Sequence, residues 1–247
     1  MDEAIGHYLT YHIAVMDTPT AIAYTPTART KVRRLRKRGV YDKARVHAIL
    51  DEGIICHVGF VKDGQPFVIP TLYARAAETL YVHGSAVSRM LKSLAGGVDI
   101  CVTVTLVDGY VLARSAFHHS MNYRSIVILG RAHLVSARRE KLKALRTITD
   151  HIVAKRWDEV RKPNELEMKQ TSVLALPLEE VSAKVRTGPP VDDDEDYALP
   201  VWAGVVPIGR TLGEPIGDGR VLPGVNAIDV ARMSTVNRHP GLLRAPG

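Results

Sequence analysis

Short β-rich runs separated by turn residues restrict the fold of this chain more than any other feature of its sequence. Apolar and β-branched residues fill positions 54–61, and the segment 62–65 places Gly64 where a hairpin turn needs a positive φ. Positions 66–73 would form the partner strand. Further β-rich runs follow at 80–83, 99–107, 110–115, 125–135, 171–176 and 181–186. Asp108 and Gly109 are expected to turn the chain back between two of these runs.

Helical periodicity is confined to three segments. Val46, Ile49 and Leu50 are spaced as on one helix face, with Asp42 as the expected N-cap and Gly53 as the end. Similar patterns occupy 87–94 and 138–157. Because helices do not alternate strictly with strands, a doubly wound parallel sheet is disfavoured. The sequence predicts a mainly β (α+β) fold in which about six or more short antiparallel strands close into a small barrel, since closure removes exposed edges.

Composition excludes several classes of protein. The 247 residues are 46% hydrophobic and 24% charged, which suits an ordinary globular core. No apolar run approaches the ~18 residues of a membrane span, and the first residues lack a secretory pattern, so we expect a cytoplasmic protein without a membrane partner. Cys56 and Cys101 lie too far apart for a metal or redox motif. No metal site is predicted.

Charge is distributed unevenly along the chain. The net charge is +7, and the basic cluster 31–38 alone carries six positive charges. We interpret this cluster as a solvated arm rather than a nucleic-acid site, because phosphate-backbone binding usually spreads cations over a face. The acidic block 192–196 follows Gly188, Pro189 and Pro190 and is typical of a linker. The predicted domains are an N-terminal tail (1–30), a barrel domain (31–187), and an acidic linker with a C-terminal extension (188–247).

The loop after the third strand holds the best candidate binding residues. Ser85, Ser88 and Arg89 stand at a strand, loop and helix junction. Hydroxyls, a guanidinium and backbone N–H groups at a helix start can together bind a phosphate. The alternative is that one serine only caps the helix while Arg89 is solvated.

These residues occur within a longer pattern that resembles a known family. The order and spacing of the segments are similar to those of the pyridoxamine 5'-phosphate oxidase-like flavoproteins, especially the branch containing the nitroimidazole-resistance reductases. The resemblance implies a split β-barrel, a homodimer, and FMN lying between subunits. We therefore expect a six-stranded antiparallel split β-barrel with flanking helices. The segments that carry the resemblance are 53–60, 66–73, 80–84, 88–89 and 122–132.

Site residues follow from the resemblance position by position. Ser88 and Arg89 match a Ser-Arg-Lys phosphate motif, although Met90 replaces its lysine. The strand that borders the flavin ring matches Pro70, Thr71 and Leu72. His83 matches a histidine beside the flavin and is the predicted catalytic residue, whereas the alternative reading is a hydrogen-bonded residue at a strand end.

Three further residues are candidates for cofactor binding. Tyr123 and Arg124 are predicted to begin a strand that reaches the flavin groove. Trp202 either covers a cofactor face or anchors the C-terminal extension. The predicted function is two-electron oxidation or reduction of a small molecule by an FMN-binding homodimer. Two alternatives stay open: a haem-binding or haem-degrading barrel, and a nucleic-acid-binding regulatory module that uses the basic cluster.

Overall fold

A computed structural model describes residues 22–233 of the chain. Ten strands and five α-helices follow one another in the described part. The helices are α1 (Lys43–Glu52), α2 (Arg89–Ala95), α3 (Arg138–Ile152), α4 (Arg156–Glu159) and α5 (Glu165–Gln170). The strands are β1 (Gly39–Val40), β2 (Ile55–Lys62), β3 (Gln65–Ala76), β4 (Thr79–Ser85), β5 (Asp99–Leu112), β6 (Ser120–Arg131), β7 (His133–Leu134), β8 (Thr171–Pro177), β9 (Glu180–Arg186) and β10 (Gly204–Pro207).

The strands form one curled antiparallel sheet, so the predicted mainly β class is confirmed. Nine of them follow the order β1-β9-β6-β5-β2-β3-β4-β8-β7, and β10 pairs with β5. The expected number of six strands is therefore wrong. Three of the additional strands, β1, β7 and β10, contain only two to four residues. Runs this short carry too little periodicity to be recognised in a sequence.

The connection between β8 and β9 closes the sheet into a split barrel. β8 pairs with β4 near one end of the strand order, whereas β9 pairs with β6 near the other end. Only Leu178 and Glu179 separate the two strands. This short connection therefore holds the two ends of the sheet together.

Local signals correctly predicted the first helix and the first hairpin. The Asp42 carboxylate accepts a hydrogen bond from the Arg45 N–H at 2.8 Å and caps α1, which ends before Gly53. Asp63 and Gly64 form the two-residue turn between β2 and β3, with φ values of 52° and 76°. Positive φ at both central residues matches the right-handed twist of the paired strands.

The expected turn at Asp108 and Gly109 is wrong. β5 continues through both residues as one strand of 14 residues, with a bulge in its ladder to β6 between Val107 and Gly109. The Asp108 carboxylate bonds to Arg124 instead of stabilising a turn. A Cβ atom on Gly109 would lie 2.9 Å from the Val206 carbonyl oxygen, so glycine permits the close approach of β10.

Two layers of apolar side chains stabilise the fold. The barrel interior contains fully buried residues such as Val58, Tyr73 and Ile126. On the opposite face of the sheet, α3 lies against β3, β4 and β8 and buries Ala144 and Ile148. The predicted helix over 138–157 is two helices, because Val153 adopts an extended backbone after α3.

Segments outside the predicted barrel domain also contact it. Tyr24, which was assigned to the N-terminal tail, is 4% exposed and lies in the core. Residues 208–229 are mostly exposed, and the chain then returns to α4, where Arg232 pairs with Glu159 at 2.6 Å. Residues 1–21 and 234–247 of the two extensions lie outside the described residues, and the domain boundaries stay predictions. No helix within 22–233 combines the length and apolar character needed to cross a membrane.

Candidate functional site

Most of the predicted site residues lie along the path from β3 through β4 to α2. We call them the β3–α2 cluster, and its members are Pro70, Thr71, Leu72, His83, Ser85, Ser88 and Arg89. β3 pairs with β2 as far as Leu72 and with β4 from Tyr73 onward. This change of partner brings the start of the cluster beside the end of β4.

The strand register shows which of these side chains share a face. Thr71 lies opposite Cys56 of the barrel core, so Pro70 and Leu72 point away from that core. His83 also points away from it, because its neighbour Val82 is a core residue. Pro70, Leu72 and His83 therefore lie on the same outer face.

His83 is half-buried, and its Nδ1 atom is buried without a hydrogen-bond partner among the described residues. Burial lowers the pKa of His83 below its ordinary value, so the imidazole is neutral at pH 7. A buried polar atom without a partner is uncommon in native proteins and calls for an explanation. One explanation is a ligand that the imidazole contacts.

The serines and the arginine of the cluster are available to a ligand. Ser88 is the N-cap residue of α2, but its side chain makes no capping hydrogen bond, and the Ser85 hydroxyl accepts a 3.4 Å bond from the Val87 N–H. Arg89 is exposed, and its guanidinium lies 6.0 Å from the centre of the Phe67 ring. Among residues 22–233 it has no ion-pair partner.

Tyr123 and Arg124 are adjacent on β6 but differ in orientation. Arg124 lies opposite the core residue Leu106, so Tyr123 points to the outer face. Three strand spacings, or ~15 Å, separate Tyr123 from the β3 strand. Only Tyr123 of this pair shares a face with Pro70.

Arg124 connects α1 to the β5 bulge. Its guanidinium donates to Glu52 at 2.5 and 2.9 Å and to Asp108 at 2.6 and 2.9 Å. Burial lowers the pKa of Arg124, but the hydrogen bonds with these two carboxylates outweigh that effect and raise it. Both carboxylates are bound by the one arginine, an arrangement typical of a structural ion-pair network.

Trp202 does not join the cluster within one chain. It is 65% exposed and precedes β10, and its ring packs against Gly204. Gly204 pairs with Leu112, which is nine residues along β5 from Thr103, so Trp202 lies ~30 Å from the Pro70 region.

Sequence reasoning missed two residues at the site. His57 on β2 lies directly opposite Pro70 and Thr103, which places it on the outer face. Phe67 lies beneath the Arg89 guanidinium. The alternation of β2 and its hairpin register with β3 contained the signal for His57, whereas the contact of Phe67 with Arg89 depends on tertiary packing.

The curled antiparallel sheet and the β3–α2 cluster define a split-barrel protein with a candidate cofactor site. The chain belongs to the pyridoxamine 5'-phosphate oxidase family, whose sequence pattern matches residues 42–185. The family resemblance found in the sequence is thus confirmed. No curated protein is similar enough to the chain to count as a relative.

Several solved structures are similar to this chain. The flavocytochrome Anf3 from Azotobacter vinelandii is 43% identical, with a TM-score of 0.79 over 83% of this chain and 96% of that one. The FAD and haem binding protein from Mycobacterium smegmatis is 34% identical, with a TM-score of 0.75 over 79% and 96%. A putative 5-nitroimidazole antibiotic resistance protein from Bacteroides thetaiotaomicron shares the fold, at 24% identity and a TM-score of 0.50 over 60% and 86%.

Proposed function

We propose that this chain is a flavin-binding oxidoreductase that transfers electrons to or from a small molecule. The observation that carries the proposal is that β4 and the start of α2 hold a buried His83 Nδ1 and an exposed Arg89, neither of which has a hydrogen-bond or ion-pair partner among residues 22–233, close to the apolar strand β3. A planar aromatic cofactor with a phosphate needs both an apolar edge and a cation. Two relatives above 30% identity, named as a flavocytochrome and as an FAD and haem binding protein, support it.

Each part of the β3–α2 cluster has a distinct role in this proposal. Pro70 and Leu72 would border the flavin ring through their side chains, and Thr71, which points toward the core, through its backbone. Ser85, Ser88 and Arg89 would bind the phosphate. A bound flavin supplies the capacity to accept and release electrons. His83 would donate or accept a hydrogen bond at the edge of the ring, and it is our candidate for the catalytic residue.

The identity of the flavin is open to a direct test. The serine and arginine motif indicated FMN, whereas the 34% identical relative is named for FAD. Met90 is 9% exposed, so the position of the missing motif lysine is part of the core and offers no charge. The monoester of FMN and the diphosphate of FAD carry similar negative charge, so the missing lysine does not distinguish them, and the name of that relative decides the order. We therefore propose FAD, rather than FMN, as the bound flavin.

The experiment is an absorption spectrum of the purified protein, followed by denaturation and chromatography of the released cofactor. We expect flavin bands near roughly 370 and 450 nm and a released compound that co-elutes with FAD. FMN in the released fraction would reverse the order of the two flavins. A colourless protein that gains no colour on incubation with either flavin would contradict the proposal.

Haem binding is the second candidate, and His83 favours it specifically. A neutral imidazole is the form that binds a metal, and the lowered pKa of His83 keeps it neutral. Both relatives above 30% identity carry haem in their names or class. An absorption band near roughly 400 nm that is lost in His83→Ala would support haem ligation by this residue. A band of unchanged position in that variant would assign the ligand elsewhere.

The outer face also supports the homodimer. Exposed apolar side chains cover much of it, and a self-complementary contact between two copies would bury them. Gel filtration with light scattering is expected to give twice the mass of 27.1 kDa. In such a dimer the partner's copy of Trp202 could reach the cluster, which it does not reach within one chain. The exposed apolar residues are Ile55, Val68, Val107, Tyr110 and Met121.

A further inference from the structure

A groove on the opposite side of α3 from the sheet is separate from the β3–α2 cluster. It has a volume of about 620 Å³, which is within the range of small-molecule sites. Five of its nine lining residues are cationic, and Glu140 is the one acidic residue among them. The lining comprises Arg138, Arg139, Glu140, Leu142, Lys143, Arg146, Trp157, Lys162 and Pro163.

Several cations of this groove occupy positions in α3 where positive charge is electrostatically unfavourable. Arg138 and Arg139 occupy the first turn of α3, where the helix dipole disfavours positive charge. Arg139 and Lys143 are four residues apart, so two like charges face each other on one side of the helix. Such an arrangement is unfavourable for the isolated chain and becomes favourable when an anion binds.

Only part of this positive charge is neutralised within the described residues. Arg138 pairs with Glu165 at 2.7 Å, and Arg146 pairs with Asp158 at 2.9 Å. The side chains of Arg139 and Lys143 make no ion pair or hydrogen bond in the part of the chain that the structure describes. Two cationic groups are therefore available to a ligand at the rim of the groove.

The groove also has an apolar floor. Leu142, Trp157 and Pro163 contribute it, and Trp157 is half-buried. The Lys162 ammonium lies 4.9 Å from the centre of the Trp157 ring, which brings a further positive charge beside the aromatic surface. A ligand that contacts both the cationic rim and the apolar floor needs several negative charges and a planar apolar group.

We propose that this groove is a nucleotide-binding site, in which the base packs on the apolar floor and the phosphates contact Arg139 and Lys143. The inference does not depend on the flavin, because none of the lining residues belongs to the β3–α2 cluster. An acidic protein surface would also be attracted by the cations, but it would leave the floor formed by Trp157 without a planar partner. We therefore assign the groove to a small phosphorylated ligand.

Fluorescence of Trp157 tests the proposal directly. The chain contains two tryptophans, so Trp202→Phe leaves Trp157 as the single reporter. ADP is titrated into this protein as purified, with adenosine and pyrophosphate as separate probes for the base and for the charge. We expect saturable quenching by ADP with a dissociation constant below ~1 mM, the upper end of ordinary metabolite affinities. Adenosine and pyrophosphate should each bind about tenfold more weakly or worse.

Matched variants locate the binding. Arg139→Ala with Lys143→Ala should weaken ADP by about tenfold or more. Arg33→Ala with Lys37→Ala removes the same charge from the exposed basic cluster and should leave affinity unchanged. Arg89→Ala, which alters the candidate flavin site, should also leave it unchanged.

Three results would overturn the inference. They are the absence of quenching by ADP, pyrophosphate binding as tight as that of ADP, and a loss of affinity in Arg89→Ala that equals the loss in the groove variant. The second result would indicate a surface for bare anions or acidic proteins. Circular dichroism of the groove variant confirms that its fold is retained, since both replaced side chains lie at the surface.

Discussion

The β5–β6 region and the β3–α2 cluster differ in whether their polar side chains have hydrogen-bond or ion-pair partners. In the first region Arg124 is 6% exposed, and its guanidinium is engaged by the carboxylates of Glu52 and Asp108. In the second, within residues 22–233, the buried His83 Nδ1 has no hydrogen-bond partner and the exposed Arg89 has no ion-pair partner. Buried polar groups that satisfy one another stabilise a fold, whereas groups left unsatisfied indicate where a ligand binds.

Arg124 and Arg89 therefore have different roles in the molecule. Arg124 and Arg89 are both arginines of the predicted cofactor site, and the sequence alone does not distinguish them. The partners of the two side chains distinguish them, because Arg124 connects the bulge of β5 to the end of α1. We therefore expect substitutions in the two regions to affect different measurements.

The largest expected effect is on stability, in Arg124→Ala. Removing one partner of a buried ion pair leaves charges without compensation and typically costs about 3 to 5 kcal/mol. Urea denaturation should show this loss in the free energy of unfolding. Arg131→Ala is the control, because it removes an exposed pair with Asp99 that contributes little to stability. Equal losses in the two variants would contradict a structural role for Arg124.

The second effect is on cofactor affinity, in Arg89→Ala. Loss of a hydrogen bond to a charged group should weaken flavin binding by about 1.5 to 3 kcal/mol. The stability of the flavin-free protein should change by less than about 0.5 kcal/mol, since Arg89 is exposed. Fluorescence titration with the flavin measures the first quantity. Lys92→Ala, on the same helix, is the matched control, and a variant of Arg89 with parental affinity would remove its assignment.

A third, smaller effect concerns pH and His83. Because burial lowers the pKa of His83, the unfolded chain binds this proton before the folded one as the pH falls below about 6.5. The free energy of unfolding should therefore decrease from pH 7 to pH 5. His83→Gln should make that decrease smaller, because the variant has no imidazole whose pKa differs between the folded and unfolded chain. The pKa of His47 is also lowered, chiefly by burial, so part of the decrease remains. Parallel stability curves would exclude His83 as the cause.

The smallest effect is expected in the basic cluster 31–38. Four of its exposed cations, Arg33, Arg34, Arg36 and Lys37, have no ion-pair partner among the described residues. Replacing all four with Ser should change stability by less than about 0.5 kcal/mol. Binding of duplex DNA should be weak in both proteins at physiological salt. Tight DNA binding by the parent that is lost in the variant would favour the nucleic-acid alternative.

The sequence predicted features whose cause is local and failed where the cause is distant. Asp42 and Gly53 delimit α1, and Asp63 and Gly64 turn the first hairpin, because each acts within a few residues. The bulge at Asp108 depends on Arg124, 16 residues away, so its Asp-Gly pair was misread as a turn.

The same limit applies to the site. The order of Pro70, His83 and Arg89 along the chain was enough to select the candidates through the family resemblance. Their orientation depends on which strands pair. The pairing of β4 with β8 sets the face of His83, and no local pattern specifies residues separated by about 90 positions, as His83 and Val173 are.

The pairing of the first strand, β1, with the late strand β9 has a consequence for synthesis on the ribosome. β1 pairs with β9 through Gly39 and Lys184, so the first strand of the barrel has no neighbour until almost the whole family region has been translated. At about 5 to 20 residues per second, the strands translated earlier wait for several seconds with open edges. Long-range pairing of this kind slows folding and exposes nascent strands to association with other chains. Recombinant yield should therefore respond to translation rate and to chaperones that protect nascent chains.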